Sequence, residues 1–220
     1  MHTYSIDREL RTKVAILIFM ISMVFSLLAK YLCSGWLEQI TIYLETSEWK
    51  QIVNLIEWFE VNPNILGIPF WYGILMCFYE KIVWKWPLLY KLHNIPNLNG
   101  IWSGTLTSSY NGKTIPMKME IKQTWSKISF HSVFTNTNSE SYSNVAAIYV
   151  EGNNGIEISF AFKNDSYSVP DKMQSYDGYN ILKLVNKNTI KARYFNNREN
   201  PNPNFKGGNK GVFEIVRKNK

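Results

Sequence analysis

The sequence of 220 residues holds only two cysteines, Cys33 and Cys77, both inside apolar segments, so no disulfide framework braces its second half. That suits a reducing compartment. Histidine is almost as scarce. His2, His93 and His131 show no Cys-x-x-Cys or His-Glu-x-x-His spacing, which argues against a dedicated transition-metal site. No Gly-x-Ser-x-Gly elbow occurs, and the glycine pair in Lys206-Gly207-Gly208-Asn209-Lys210 is not followed by a helical pattern that would make it a phosphate cradle. With its carboxylates scattered and His131 isolated, the second half offers no acid, base and nucleophile to combine. No catalytic residue, metal or cofactor is assigned, and the expectation is a binding protein and not an enzyme.

Charge and hydropathy divide the chain near Asn99. Residues 1–98 carry 8 Lys+Arg against 8 Asp+Glu, whereas residues 99–220 carry 16 against 9, which is the whole net charge of +7. The excess serves either solubility or an anionic partner such as a phosphate-bearing ligand, nucleic acid or lipid headgroups. Val14 to Ala29 are 16 residues without a charge. If Lys30 snorkels, the run extends through Cys33 to about 20 residues, enough to cross a bilayer. Arg8, Arg11 and Lys13 before it also fit a signal peptide, but no small-x-small cleavage site follows. A second run, Ile65 to Tyr79, is short for a span and contains Gly67, Pro69 and Gly73, with Trp58, Phe59, Trp84 and Trp86 as interfacial aromatics at its ends. The cations Lys81, Lys85 and Lys91 follow it, and the connection from Gly35 to Asn64 has one, Lys50. Positive charge inside then puts the N-terminus and the second half in the cytoplasm. Trp49, Ile52, Val53, Ile56 and Phe59 recur at helical spacing, so the connection is expected to be an amphipathic helix on the outer face.

Beyond Asn99 the pattern changes to alternation. Eight strands are predicted, Gly100–Ser109, Thr114–Gln123, Ile128–Thr135, Tyr142–Glu151, Ile156–Asn164, Gly178–Val185, Thr189–Asn196 and Gly211–Arg217. With local connections, the fold class is a membrane-anchored all-β protein: two N-terminal transmembrane helices, then an eight-stranded antiparallel up-and-down, lipocalin-like barrel. Its domains are a cytoplasmic N-terminus (1–13), a two-helix transmembrane region (14–98) and a cytosolic ligand-sensing barrel (99–220). The even connections are tight and the odd ones mostly long, so one rim is closed and the other carries lid-length loops.

Alternation sorts the side chains. Trp102, Gly104, Leu106, Ser108 and Tyr110 share a face, as do Ile190, Ala192, Tyr194, Asn196 and Arg198. In the fourth predicted strand Ser139, Ser141, Ser143 and Val145 are taken to face inward, so the interior grades from apolar at the closed rim to polar at the open one. Arg198 is the leading site candidate, because a guanidinium fork binds phosphate and nearby tyrosines such as Tyr194 offer stacking faces. Asn196, Tyr110, Ser108, Ser141 and Ser143 complete the candidate site. Trp102 and Arg217 are assigned a structural role, a ring plugging the closed rim under a cation.

Several stretches in order carry a resemblance: two apolar runs, then Asn97-Leu98-Asn99-Gly100-Ile101-Trp102-Ser103-Gly104-Thr105-Leu106, Ile121-Lys122-Gln123-Thr124-Trp125-Ser126-Lys127-Ile128, Ser139-x-Ser141-x-Ser143, Arg193-Tyr194-Phe195-Asn196-Asn197-Arg198 and Gly211-Val212-Phe213-Glu214-Ile215. From Val14 to Arg217 the chain resembles the two-transmembrane, β-strand-rich effectors of bacterial cyclic-oligonucleotide-based antiphage signalling systems (CBASS). The resemblance implies a receptor whose barrel binds a cyclic dinucleotide made by a partner nucleotidyltransferase. It also implies ligand-induced homo-oligomers that act on the lipid bilayer, disrupting the inner membrane in abortive infection. DNA and RNA are not expected partners. The alternative is a membrane-tethered, lipocalin-like carrier of a lipid, with Met117, Met119, Phe160 and Phe162 around an acyl chain and Arg198 on its headgroup.

Overall fold

A computed structural model describes residues 1–7, 9–45, 67–109, 112–135, 139–151, 155–166, 175–199 and 208–218. The chain forms two units, one of Met1–Arg8 with Lys85–Lys220 and one of Glu9–Trp84.

The second unit is helical. Helix α1 runs unbroken over Leu10–Glu45, so residues 35–45, expected in a connection, continue the helix instead. Its stretch Leu10–Ala29 has a mean hydropathy of 2.2 and is, among the described residues, the one helix long and apolar enough to cross a membrane. Helix α2, Ile68–Lys81, has 14 residues, about 21 Å at 1.5 Å per residue, against about 30 Å of hydrocarbon. Gly67 caps it and Pro69 sits in its first turn, where proline costs no hydrogen bond. The helices meet through aromatic pairs, Phe25 with Trp71 (centroids 5.4 Å apart) and Phe19 with Tyr72 (6.5 Å). The expected amphipathic helix around Trp49 to Phe59 lies outside the described residues, as do the first residues of the second expected span.

The first unit is a closed barrel of nine strands, not eight. They are β1 (His2–Ile6), β2 (Gly100–Ser108), β3 (Thr114–Gln123), β4 (Lys127–Phe134), β5 (Ser139–Tyr149), β6 (Glu157–Ser166), β7 (Tyr176–Asn186), β8 (Thr189–Glu199) and β9 (Gly208–Arg217). From β2 to β9 the strands form the expected antiparallel meander, and β9 pairs back on β2. The extra strand comes from the N-terminus. Near the open rim β4 pairs with β5 directly, from His131 opposite Tyr142 to Phe134 opposite Ser139. Below that the two strands part and β1 enters between them, antiparallel to β4 (His2 opposite Ile128) and parallel to β5 (Tyr4, Ser5 and Ile6 opposite Ala146, Ala147 and Ile148). A five-residue strand at a chain end has too short a pattern to separate from the charged flank of the apolar run that follows it.

The fork that admits β1 also corrects the expected inward face of β5. Pairing of β5 with β6 shifts register between Ser143 and Val145, a bulge that rephases the strand. Ser139 and Ser141 therefore face inward above it and Ala146 and Ile148 below it, whereas Val145 is 56% exposed.

At the closed rim the core is continuous. Trp102, Ile121, Ile128, Ile148, Ile158, Leu182, Ile190 and Ile215 are buried, and Phe130 stacks on Phe160 at 4.1 Å across the interior. Trp102 donates through Nε1 to the Leu98 carbonyl (2.9 Å), and the Arg217 guanidinium lies 4.6 Å over its ring. Asn99 pairs with the backbone of Gln123 as a strand residue would: its Oδ1 accepts the N–H (2.7 Å) and its Nδ2 donates to the carbonyl (2.8 Å). The next residue, Gly100, has φ of 135°, which a side chain would strain. Helix α3 (Pro87–His93) precedes this segment, and its His93 ring lies 5.3 Å from Trp125 in the β3–β4 turn. Tyr4 donates its phenol proton to the carbonyl of that same Trp125 (2.9 Å).

Tyr4 is the buried side chain of β1. Tyr4→Ala is expected to lower barrel stability by about 3 kcal/mol through loss of the ring. Tyr4→Phe, which loses the hydrogen bond alone, is expected to cost about 1 kcal/mol. Denaturant unfolding of the full chain in detergent, followed by tryptophan fluorescence, measures both; wild-type stability in Tyr4→Ala would contradict an integral β1.

Candidate functional site

The barrel end opposite Trp102 and Arg217 is polar along one wall. Across β4, β5, β6 and β7 the facing residues are Ser132, Ser141, Asn164 and Tyr176, each opposite the next in register. Asn164 is fully buried and its Nδ2 donates to Ser141 Oγ (2.8 Å). Its Oδ1 takes no hydrogen bond from the described residues, a cost that a ligand donor would relieve. Ser139, closer to the rim, is also buried.

Arg198 closes this arc. Its guanidinium sits 5.6 Å over the Tyr176 ring, and its backbone is held on both sides. The Arg198 N–H donates to Asn196 Oδ1 (3.2 Å) and its carbonyl accepts from Nδ2 of the buried Asn209 (2.8 Å). Pairing of β8 with β9 breaks register between Phe195 and Glu199, an irregularity that re-aims a side chain. One layer down, Tyr194 lies opposite Asn180 on β7 and Gly211 on β9, and Gly211 lies opposite Ser108 on β2. A Cβ at Gly211 would collide with the Tyr194 ring and the Thr107 carbonyl, so glycine leaves the room in which that ring lies. The Tyr194 phenol bonds the Ser108 hydroxyl.

The structure thus brings Arg198, Tyr194, Asn196, Ser108 and Ser141 to one end of the barrel. Tyr110 lies outside the described residues. Ser143 has a different place: its hydroxyl accepts the Phe130 N–H (2.9 Å) and pairs with His2 Nε2 (2.8 Å) at the fork of β4, β5 and β1. Trp102 and Arg217 sit together at the opposite end. Tyr176, Asn164, Asn180, Ser132 and Asn209 join the rim without having been expected there. The alternation Phe160-x-Phe162-x-Asn164 would have found Asn164, but Tyr176 falls in a stretch without strand signal, before Gly178.

The phenols report the environment. Burial pushes the pKa of Tyr176 up, with the Arg198 charge pulling the other way, and burial likewise pushes Tyr194 up against its bond to Ser108 and the pull of Arg198. Both stay neutral at physiological pH. At the closed end burial lowers the Arg217 pKa. On the outer face, His131 Nε2 meets Glu140 Oε2 (2.9 Å), Tyr142 donates to the same carboxylate, and these two bonds hold Glu140 below its ordinary value. No group of three His, Cys, Asp or Glu among the described residues is placed to hold a metal. Guanidinium, phenols, amides and hydroxyls make the rim a set for binding an anion with polar and aromatic parts.

Because the folded-state values of Tyr176 and Tyr194 lie above the ordinary phenol value near 10, the neutral rings stabilise the fold fully below that pH. The contribution is lost as pH rises through the raised values. Arg198→Met removes the opposing charge, so the phenolate absorbance of Tyr176 and Tyr194 is expected at still higher pH. Difference titrations against Tyr176→Phe and Tyr194→Phe assign the signals, and an unchanged or lower titration would contradict this placement of Arg198.

Comparison with known proteins follows the same residues. A family described as Cap15, cyclic dinucleotide receptor domain, matches residues 93–206. The protein named CD-NTase-associated protein 15 from Escherichia albertii is 29% identical over 132 residues, covering 57% of this chain and 66% of that protein. Its namesake from Yersinia aleksiciae is 23% identical over 172 residues, covering 74% and 80%. A solved structure of EF1p2_mFAP2b bound to DFHBI aligns over 55% of this chain and 94% of its own, at 10% identity and a TM-score of 0.37, too low to carry an argument. The family match takes in Trp102 at the closed rim, the polar wall and Arg198: the chain belongs to the Cap15 cyclic dinucleotide receptor domain family.

Proposed function

We propose that this chain is a CBASS effector that senses a cyclic dinucleotide, made by a partner nucleotidyltransferase, in the open mouth of its barrel. The observation that carries the reading is the convergence of Arg198 with Tyr176, Tyr194, Ser108, Ser141 and Asn164 at one rim, within the matched residues except for the outlying β9 wall. The guanidinium pairs with a phosphate, the phenols offer faces and hydroxyls, and the amide and serine wall addresses a base or ribose edge. Carriage of a lipid is less well served. Phe130 stacks on Phe160 across the interior, packed with the buried Met119, Ile121 and Ile158, where an acyl chain would have to lie.

The membrane part of the proposal rests on connectivity. β1 precedes α1 and β2 follows α2 and α3, and both strands belong to one closed barrel. A chain that leaves a folded unit at Ile6 and returns to it at Gly100 crosses a membrane an even number of times. If α1 crosses, a return crossing is required, and the apolar stretch from Ile65 to Tyr79 is the candidate. The cations at 8, 11, 13, 81, 85 and 91 support a cytoplasmic location for both ends and the barrel. Ligand-driven oligomerisation and disruption of the inner membrane complete the proposal. The exposed Leu17, Phe19, Met20, Val24, Leu27 and Leu28 of α1 provide its apolar contact surface.

Arg198→Ala in the full chain is expected to weaken cyclic dinucleotide binding about 10- to 100-fold, the loss of about 1.5–3 kcal/mol from a charged hydrogen bond, with the unfolding midpoint near wild type. Calorimetry in detergent measures it. Wild-type affinity in the variant, or no binding of any cyclic di- or trinucleotide to the native chain, would reject the reading.

A further inference from the structure

The slot that β1 fills lies between β4 and β5, with the Trp125 carbonyl of the β3–β4 turn accepting from Tyr4. Its apex is fixed by the Phe130 N–H bonded to Ser143 Oγ and by the register shift between Ser143 and Val145. Above it the two strands are paired from His131 to Phe134 and from Ser139 to Tyr142. None of these features needs β1. With β1 removed, Lys127–Ile128 and Ala146–Ile148 would present two facing edges with unpaired backbone groups, which a third strand satisfies.

What holds β1 there is the buried Tyr4 ring and a few hydrogen bonds. His2 bonds Ser143, Tyr4 bonds the Trp125 carbonyl, and the Asp7 carboxylate accepts the N–H groups of Val150 (3.0 Å) and Glu151 (2.9 Å). Its ladders span two residues on β4 and three on β5, whereas β2 and β3 pair over eight. Its partners lie far away in sequence, 121 residues between Tyr4 and Trp125 and 143 between Asp7 and Val150. A short terminal strand, seated in a preformed slot and tethered through Asp7 to Glu9 to a long helix, has the architecture from which strand exchange arises at low cost.

We propose that the β4–β5 slot is an interaction site for the N-terminal strand of a second copy of this chain. The occupant is specified by the slot: the contacts that seat His2, Tyr4 and Asp7 are available to the same residues of any neighbouring copy. Exchange joins two barrels without new side-chain chemistry. Because β1 leads directly into α1, it also brings the two apolar helices together.

Thr3 and Lys127 are register partners, and both are exposed, so cysteines at the two positions are within bridging distance. In a Cys33→Ser, Cys77→Ser background, two differently tagged full-length copies are co-expressed, one with Thr3→Cys and the other with Lys127→Cys. After mild oxidation, mixed dimers are expected severalfold above those from Thr3→Cys with Thr105→Cys on β2. Tyr4→Ala in the Thr3→Cys copy is expected to reduce them. A single chain carrying both Thr3→Cys and Lys127→Cys tests the geometry. If that chain closes its internal bridge while mixed dimers stay at the Thr105→Cys level, the strand serves its own barrel alone and the proposal is overturned. Failure of the internal bridge as well would overturn it too, since β1 would then not occupy the slot.

Discussion

A barrel escapes the liability of exposed edges only where its last gap is closed, and here the gap lies between β4 and β5. The bulge that turns β5 away from β4 leaves backbone groups that five residues from the far end of the sequence satisfy. Ser143, whose hydroxyl takes the Phe130 N–H and meets His2, sits where the three strands join. This closure makes the helical segment an insertion between strands of one barrel. Loss of residues 2–6 would remove a strand of the barrel.

Within the barrel, two arginines over aromatic rings mark opposite ends. Arg217 lies 4.6 Å over the fully buried Trp102 and reaches the Asn97 carbonyl with Nη2. That end is filled, and the arginine seals it. Arg198 lies over Tyr176 at the rim, among hydroxyls and amides. The same cation–aromatic pairing sits in two surroundings: the first is backed by Ile121, Ile128 and Ile215 and the second by Ser141, Asn164 and Asn180.

Much of this was legible from alternation. The strands β2 to β9 and most of their inward residues follow from period-two patterns and turn residues, which local physics determines; the split into tight and long connections does not hold throughout, since β4 and β5 are joined by residues 135–138 and β5 and β6 by residues 150–156. Arg198 and Tyr194 emerge because they continue the alternation Ile190-x-Ala192. What escaped depends on long-range pairing. Nothing in His2–Ile6 signals that a strand more than 120 residues away needs a partner. A bulge of one residue reversed the expected facing of Val145 and moved Ser143 from the ligand wall to the fork. The extra turns of α1 past Gly35 followed from helix propagation through a glycine that the residue pattern treats as a break.

The proposed site for a cyclic dinucleotide lies inside the polar rim and not on the outer sheet or at the closed end. Amide hydrogen exchange of the full chain in detergent, with and without saturating cyclic dinucleotide, tests it directly. Added protection is expected only in the rim segments around Ser108, Ser139 to Ser141, Asn164, Tyr176 to Gly178 and Tyr194 to Arg198. Protection centred on Trp102 and Arg217, or on the outer face around His131 and Glu140, would contradict it.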